Sequence, residues 1–247
     1  MLRMLSSSIL LCTFTVAKYQ SITFMKSKYL ITLFFLGCFS CLRASDVVWY
    51  NGSGHVTYQV VGKCAPVVDI ALDMFSNDMK AVTGKKAMSH HNGTIQVFQL
   101  DQLDNKSFKI LEKTGLPFHK IITREDAFYI GVYQGKIGII GSNGRGTAYG
   151  ILELSRMAGV SPWIWWGDIV PEHRSRLTID DQFTTTQGAS VEFRGIFLND
   201  EDWSLRPWSY ARSEKTPFGV IGKNTYKKVF QLLLRLRANA IWPAAWP

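Results

Sequence analysis

The stretch Gly195-Ile196-Phe197-Leu198-Asn199-Asp200-Glu201-Asp202-Trp203 passes from an apolar run straight into three adjacent acids. Residues 191–198 read as a strand that ends at this acidic cluster. A loop containing Pro207 and Pro217 follows. Residues 224–238 then carry a helical pattern, with Tyr226, Val229, Phe230, Leu233 and Leu236 as the apolar face. Lys227, Lys228, Gln231 and Arg235 fall on the polar face. Ala240-Ile241-Trp242 reads as a second strand. Strand, loop, helix, strand is one βαβ step, and its long strand-to-helix loop is where a β/α barrel puts its chemistry.

Upstream, strands and helices alternate, which predicts a small α/β domain. Strands are expected at 47–50 and 56–61, separated by Asn51-Gly52-Ser53-Gly54. Pro66 opens a helix that stops at Thr83-Gly84. A strand at 94–100 and a polar helix at 104–113 follow, the helix stopped by Gly115. Two strands, 127–134 and 136–141, turn tightly through Gly135, and a helix covers 145–159. Residues 171–188 are polar and are expected to hold one closing strand and a linker. No repeat with a period of 20–50 residues is visible.

The first 45 residues contain Arg3, Lys18, Lys26, Lys28 and Arg43 and no acid. Lys26 and Lys28 precede the apolar run 29–41, which at 13 residues is shorter than the roughly 20 of a membrane-spanning helix. Leu42-Arg43-Ala44 then offers a small residue at a cleavage point before Ser45, so residues 1–44 are expected to be a leader with a signal peptide. Met25 is a credible true start. A lipid-modified Cys38 or Cys41 is the alternative processing. The expectation is a secreted or periplasmic protein with no stable membrane insertion after cleavage.

The net charge of +9 invites a nucleic-acid reading. Setting the leader aside leaves 23 basic against 19 acidic residues, with no basic stripe interleaved with aromatics. No nucleic-acid partner is expected. Cys12, Cys38 and Cys41 lie in the leader, leaving only Cys64, so a disulfide framework is excluded. His55, His90, His91, His119 and His173 have no metal-ligand spacing. His90 and His91 would point apart in a strand. Neither metal nor cofactor is expected.

Gly141-Ser142-Asn143-Gly144-Arg145-Gly146 sits between a strand and a helix, as phosphate-binding loops do. Thr147 stands where a P-loop needs lysine, and the third glycine of dinucleotide spacing is missing. Tight-turn glycines are the better reading, and ATP or NAD binding is not expected.

Gly195 to Trp203, followed by Tyr226-Lys227-Lys228-Val229-Phe230-Gln231-Leu232-Leu233-Leu234-Arg235-Leu236-Arg237-Ala238-Asn239-Ala240-Ile241-Trp242-Pro243-Ala244, resembles the opening of the barrel in glycoside hydrolase family 115. The glycine-rich loop with Thr147-Ala148-Tyr149-Gly150, and Val160-Ser161-Pro162-Trp163-Ile164-Trp165-Trp166, resemble that family's N-terminal domain. The resemblance covers roughly residues 46–247. Ala245 departs from it, standing where methionine is expected.

The resemblance implies a fold and an activity. The fold is α/β: a small domain like the second domain of hexosaminidases at residues 45–188, then at 189–247 the first βαβ step of a (β/α)8 barrel that is truncated here. The activity is removal of glucuronic acid or 4-O-methyl-glucuronic acid side chains from xylan, with inversion, and the partner is glucuronoxylan or its oligosaccharides. A barrel closes only with eight strands, so the chain as it stands is expected to be inactive. The other reading is a non-catalytic carbohydrate-binding remnant. Oligomeric state is left open.

Inversion uses two carboxyl groups about 6.5–9.5 Å apart with a water between them. Asp200 and Glu201 are the catalytic candidates, and crowding of like charges raises a carboxyl pKa toward that of a general acid. A solvated loop or a helix N-cap is the plain alternative for such a cluster. Asn199, Asp202 and Trp203 are candidates for binding substrate. The resemblance sets the glycine-rich loop beside the cleft, which makes Asn143 and Arg145 candidate sugar contacts. Trp203 and Trp208 could equally stack on sugar or pack in a core. Trp242 is expected in the core, and Trp163, Trp165 and Trp166 at a domain interface. Arg237 is placed on the apolar helix face, pairing with a barrel acid or with helix-end carbonyls.

Overall fold

The computed structural model describes residues 46–198, 204–215 and 219–243. Residues 1–45, 199–203, 216–218 and 244–247, and with them the expected leader, lie outside the described residues.

A six-stranded mixed sheet organises the domain. Its strands are β2 (Thr57–Val61), β3 (Met88–Ser89), β4 (Ile95–Gln99), β5 (Phe128–Tyr133), β6 (Lys136–Gly141) and β8 (Thr184–Gln187), in the order β3-β2-β4-β6-β5-β8. Strands β3, β2, β4 and β6 run parallel, and β5 is antiparallel to both β6 and β8. All five residues of β4 are buried, so both faces of the sheet are covered. Strand alternation splits the core accordingly. Ile95, Val97, Ile130, Ile137 and Ile139 face the helices α1 (Pro66–Thr83) and α3 (Gly144–Met157). Phe98, Tyr129 and Ile140 face the other way, onto Leu111 of helix α2 (Asn105–Thr114) and onto Leu116 and Ile121. Each fully buried isoleucine or phenylalanine contributes about 1.5–3 kcal/mol.

Local signals set the helix ends. Pro66 occupies the first turn of α1, and Gly84 ends it at φ 79°, donating to the Lys80 carbonyl at 3.0 Å. Asp104 caps α2 by accepting from the Ser107 amide at 2.7 Å, and Gly115 ends it at φ 71°.

Residues 171–188 hold two strands where one was expected. Strand β7 (Leu177–Ile179) leaves the main sheet and pairs antiparallel with β1 (Val47–Tyr50), while β8 closes the sheet edge. The strand expected at 191–198 shrinks to β9 (Gly195–Phe197), because the Arg194 guanidinium takes the carbonyls of Val191 and Glu192 at 2.8 and 3.0 Å. A short turn of helix, α4 (Leu205–Trp208), runs into a π-helical turn at Ser209–Glu214. Helix α5 (Lys223–Arg235) follows, then β10 (Ala240–Trp242). Glu214 caps α5, accepting from the Thr225 amide at 2.7 Å.

Helix α5 turns its expected faces in and out only in part. Thr225, Val229, Leu232 and Leu233 are buried, whereas Phe230 and Leu236 are exposed. Arg235 is not solvated: its guanidinium grips both oxygens of Asp78 on α1 at 2.7 and 2.8 Å. The helix therefore docks on α1 and α3. Residues 44–247 pack as one unit, and contacts cross the boundary expected at 188/189.

The glycine-rich loop departs from the tight-turn reading. Gly141, Gly144 and Gly146 do not adopt positive φ. They allow close approach instead, since a Cβ on Gly146 would sit 2.2 Å from the Ala127 carbonyl oxygen. His90 and His91 lie beyond β3, next to a turn, with rings 4.4 Å apart rather than pointing apart.

Candidate functional site

Strands β9 and β10 pair in parallel, Gly195 opposite Ala240 and Phe197 opposite Trp242. Their N-terminal ends are Arg194 and Asn239, knotted together. The Arg194 amide donates to Asn239 Oδ1 at 2.9 Å, and the amides of Asn239 and Ala240 donate to the Arg194 carbonyl at 2.8 and 3.0 Å. At the other end, the Leu198 amide donates to the Trp242 carbonyl at 2.9 Å.

One carboxylate holds the N-terminal ends to the α/β domain. Asp126 has no exposed side-chain surface and sits at φ 50°, a left-handed position that Asp tolerates better than most residues. Its Oδ1 accepts from Arg145 Nε at 2.8 Å and Asn143 Nδ2 at 3.1 Å. Its Oδ2 accepts from Arg194 Nη2 at 2.7 Å and Asn239 Nδ2 at 3.2 Å. Burial pushes the Asp126 carboxyl up, but the hydrogen bonds from Arg194, Asn143 and Arg145 outweigh it, so its pKa lies below the ordinary value.

Two further contacts tighten this junction. The Tyr149 hydroxyl donates to the Ala238 carbonyl at 3.0 Å. Arg237, at φ 58° beyond the end of α5, pairs with Glu153 of α3 and with Gln187 of β8. Among the described residues its acid partner thus comes from α3 of the α/β domain. Burial raises Glu153, but pairing with Arg156 and Arg237 holds it below the ordinary range.

Asn143 and Arg145 are therefore at the N-terminal ends of β9 and β10. Leu198, the last described residue before the acidic cluster, is at the C-terminal end. Three strand residues, about 10 Å, separate the two ends. The structure does not bring Asn143 and Arg145 to the end that leads into Asn199, Asp200, Glu201, Asp202 and Trp203, which lie outside the described residues. Asn143 also caps α3 by accepting from the Gly146 amide at 2.8 Å, and donates to Glu125 at 2.8 Å. With Glu125 and Asp126 beside it, this helix start opposes a phosphate.

The model of the family "Glycosyl hydrolase family 115" matches residues 186–247. A solved family GH115 4-O-methyl-alpha-glucuronidase, with specificity for decorated arabinogalactans, is 42% identical over 81% of this chain, with a TM-score of 0.73. The chain belongs to glycoside hydrolase family 115. This family 115 chain spans 26% of the length of that solved structure. Two other solved structures align at lower scores. Streptomyces plicatus beta-hexosaminidase is 12% identical over 81% of this chain and 32% of its own, with a TM-score of 0.46. A GH138 enzyme targeting pectin rhamnogalacturonan II is 12% identical over 76% of this chain and 18% of its own, with a TM-score of 0.43. Scores at that level do not establish a shared fold. Comparison with curated proteins found no match.

Three tryptophans of the family 115 chain, Trp165, Trp166 and Trp208, gather where α5 meets the domain. Trp165 stands edge-on to Trp166 and Trp208, with centroids 4.9 and 5.5 Å apart. Trp166 Nε1 donates to the Lys228 carbonyl at 3.3 Å, tying the loop after α3 to α5. Trp208 thus packs against other indoles, while Trp242 is 72% exposed and not in the core. Among the described residues only Phe197 is in ring contact with it. Burial and the charges of Asp69 and Asp101 push the Cys64 thiol up to about 12, so it is no nucleophile at neutral pH. Among the described residues no group of three or more His, Cys, Asp or Glu could hold a metal, and no helix is long and apolar enough to cross a membrane.

The junction makes a pH prediction. Asp126 and Glu153 both titrate below their ordinary values, about 3.9 and 4.3 when unfolded. Groups with depressed folded pKa values contribute stability above the unfolded values and lose it as pH falls through the folded ones. Tryptophan fluorescence is expected to stay constant from pH 7 to about 5, then change below about 4. Asp126→Asn should make that acid dependence shallower, leaving the part due to Glu153. A wild-type transition centred above pH 5 would contradict it.

Proposed function

We propose that this family 115 chain supplies the α/β domain and the opening strands of a hydrolase that releases glucuronic acid, or its 4-O-methyl ether, from polysaccharide side chains with inversion. The parallel pair β9–β10 supports this reading: its C-terminal end delivers Leu198 directly into the acidic segment, at the end of the strands where β/α barrels place catalytic groups. Asp200 or Glu201 provides one of the two carboxyl groups, either protonating the glycosidic oxygen or drawing a proton from the attacking water. Asn199, Asp202 and Trp203 hold the uronic acid ring. The opposing carboxyl comes from elsewhere in the barrel. Only two barrel strands lie among the described residues, so activity is expected of an enzyme that supplies the other six and not of these 247 residues alone. The apolar leader is read as an export signal, which suits a polymeric substrate outside the cell.

The resemblance points to glucuronoxylan, and the specificity of the solved neighbour points to glucuronylated arabinogalactan. Each is incubated with the enzyme encoded by the complete reading frame, and the liberated sugar is followed by proton NMR. The expected result is uronic acid from at least one polymer, appearing first as the β-anomer from the α-linked side chain. First appearance of the α-anomer, or no release from either polymer, overturns the proposal.

A further inference from the structure

A cavity of about 230 Å³ lies between α1, the loop after α3 and helix α5, away from the strand ends of β9 and β10. Trp165 and Trp166 form one wall, Asn77 and Asp78 another, and Lys228, Gln231 and Arg235 a third. We propose that this cavity is an accessory binding site for an anionic sugar, the uronic acid unit of a polysaccharide side chain. The choice of a saccharide rests on the proposed function; the anionic character rests on the cavity itself.

Three observations carry it. First, the cavity holds a cation without an anion. Lys228 Nζ lies 5.0 Å from the centroid of the Trp165 ring, and no carboxylate among the described residues pairs with it. Burial, together with the charges of Lys227 and Arg235, lowers its pKa, the mark of a positive charge left uncompensated. The carboxylate in the wall cannot compensate, because both Asp78 oxygens are taken by Arg235 and its side chain is 4% exposed. A ligand carboxylate would complete a charge-assisted pair with Lys228.

Second, the aromatic wall is fixed before any ligand arrives. Trp166 is tied to α5 through the Lys228 carbonyl, and Trp165 is braced at 89° and 87° by Trp166 and Trp208. Trp165 nonetheless keeps 37% of its surface exposed. An indole held rigid and still part-exposed beside the Lys228 ammonium offers apolar surface for a pyranose ring to pack against, at little entropic cost. Third, Gln231 makes no hydrogen bond among the described residues, and Asn77 uses only its NH₂, on the Asp73 carbonyl. These amides can donate to and accept from sugar hydroxyls. Apolar wall, unpaired ammonium and free amides match a ring that carries both hydroxyls and a carboxylate.

The test is calorimetric titration of the 247-residue chain with xylotriose bearing one 4-O-methylglucuronic acid, against unsubstituted xylotetraose and inorganic phosphate. Saturable binding of the acidic oligosaccharide is expected, at least tenfold tighter than either control. Lys228→Gln and Trp165→Ala should each weaken it at least tenfold with the circular dichroism spectrum unchanged, and Lys228→Arg should retain it. If Lys228→Gln fails to fold, Gln231→Ala takes its place, with a several-fold loss expected. Equal affinity for xylotetraose or phosphate, no saturable binding, or binding indifferent to these substitutions overturns the inference. Uronic acid release by the complete enzyme is scored separately: release without binding here removes only the accessory site, and binding without release removes only the hydrolase reading.

Discussion

Replacing Asp126 with alanine is expected to destabilise the folded chain by about 3–5 kcal/mol, the cost of removing one partner from a buried ion pair. The carboxylate has no exposed surface, and four donors converge on it from the glycine-rich loop, the start of β9 and the start of β10. Without it, the Arg194 guanidinium, 19% exposed, keeps its charge and loses the one anionic partner it has among the described residues. Alanine would also have to hold φ 50°, which costs a further 1–2 kcal/mol or so. Asp126→Asn separates the two effects, since asparagine tolerates that backbone and removes only the charge. Arg145→Ala should cost less than about 1 kcal/mol, because that side chain is 45% exposed and solvent screens its pairing. Urea unfolding of the three variants reads these differences directly. An Asp126→Ala midpoint equal to that of wild type or of Arg145→Ala would contradict this account of the junction.

Asp200→Ala or Glu201→Ala, whichever removes the reacting carboxyl, is expected to lower kcat for uronic acid release roughly a thousandfold in the complete enzyme. General acid–base catalysis contributes about a hundred to ten thousandfold, and an inverting hydrolase has no covalent route around its loss. The role of the residue then follows from rescue. If it is the base, added azide should restore turnover by attacking the anomeric carbon in place of water. If it is the acid, a substrate whose leaving group needs no proton should be cleaved almost as fast as by wild type. A variant that keeps more than a tenth of wild-type kcat at both positions would remove the acidic segment from the mechanism.

Much of the fold was legible because it is written in local chemistry. Pro66 and Gly84 bracket α1, Asp104 and Gly115 bracket α2, and strand alternation sorts Val97 from Phe98 onto opposite faces of the sheet. The family was legible in two long motifs. The junction was not. Asp126 follows another acid in a loop and meets Arg194 from 68 residues away, a pairing no periodicity announces. Arg235 read as a polar-face residue because helical spacing cannot show that Asp78, 157 residues earlier, waits across the interface. Nor does the sequence show where Asn143 and Arg145, the candidate sugar contacts, direct their donors. The resemblance implies a place beside the cleft, whereas donors of both side chains reach Asp126 in the tertiary fold. The one usable signal was Asn239, quoted within the barrel motif, whose amide reaches back to the same carboxylate.

These residues divide the central claim into two ends of one pair of strands: structure at the N-terminal end, chemistry beyond the C-terminal end. Initial rates of uronic acid release by the complete enzyme, compared between Asp200→Asn, Glu201→Gln and Arg145→Ala, test that division most directly. At least one acid substitution is expected to lose roughly a thousandfold, while Arg145→Ala stays within severalfold of wild type at a temperature where all variants are folded. A large loss in Arg145→Ala, with both acid variants near wild type, would place the chemistry at the opposite end and contradict the account.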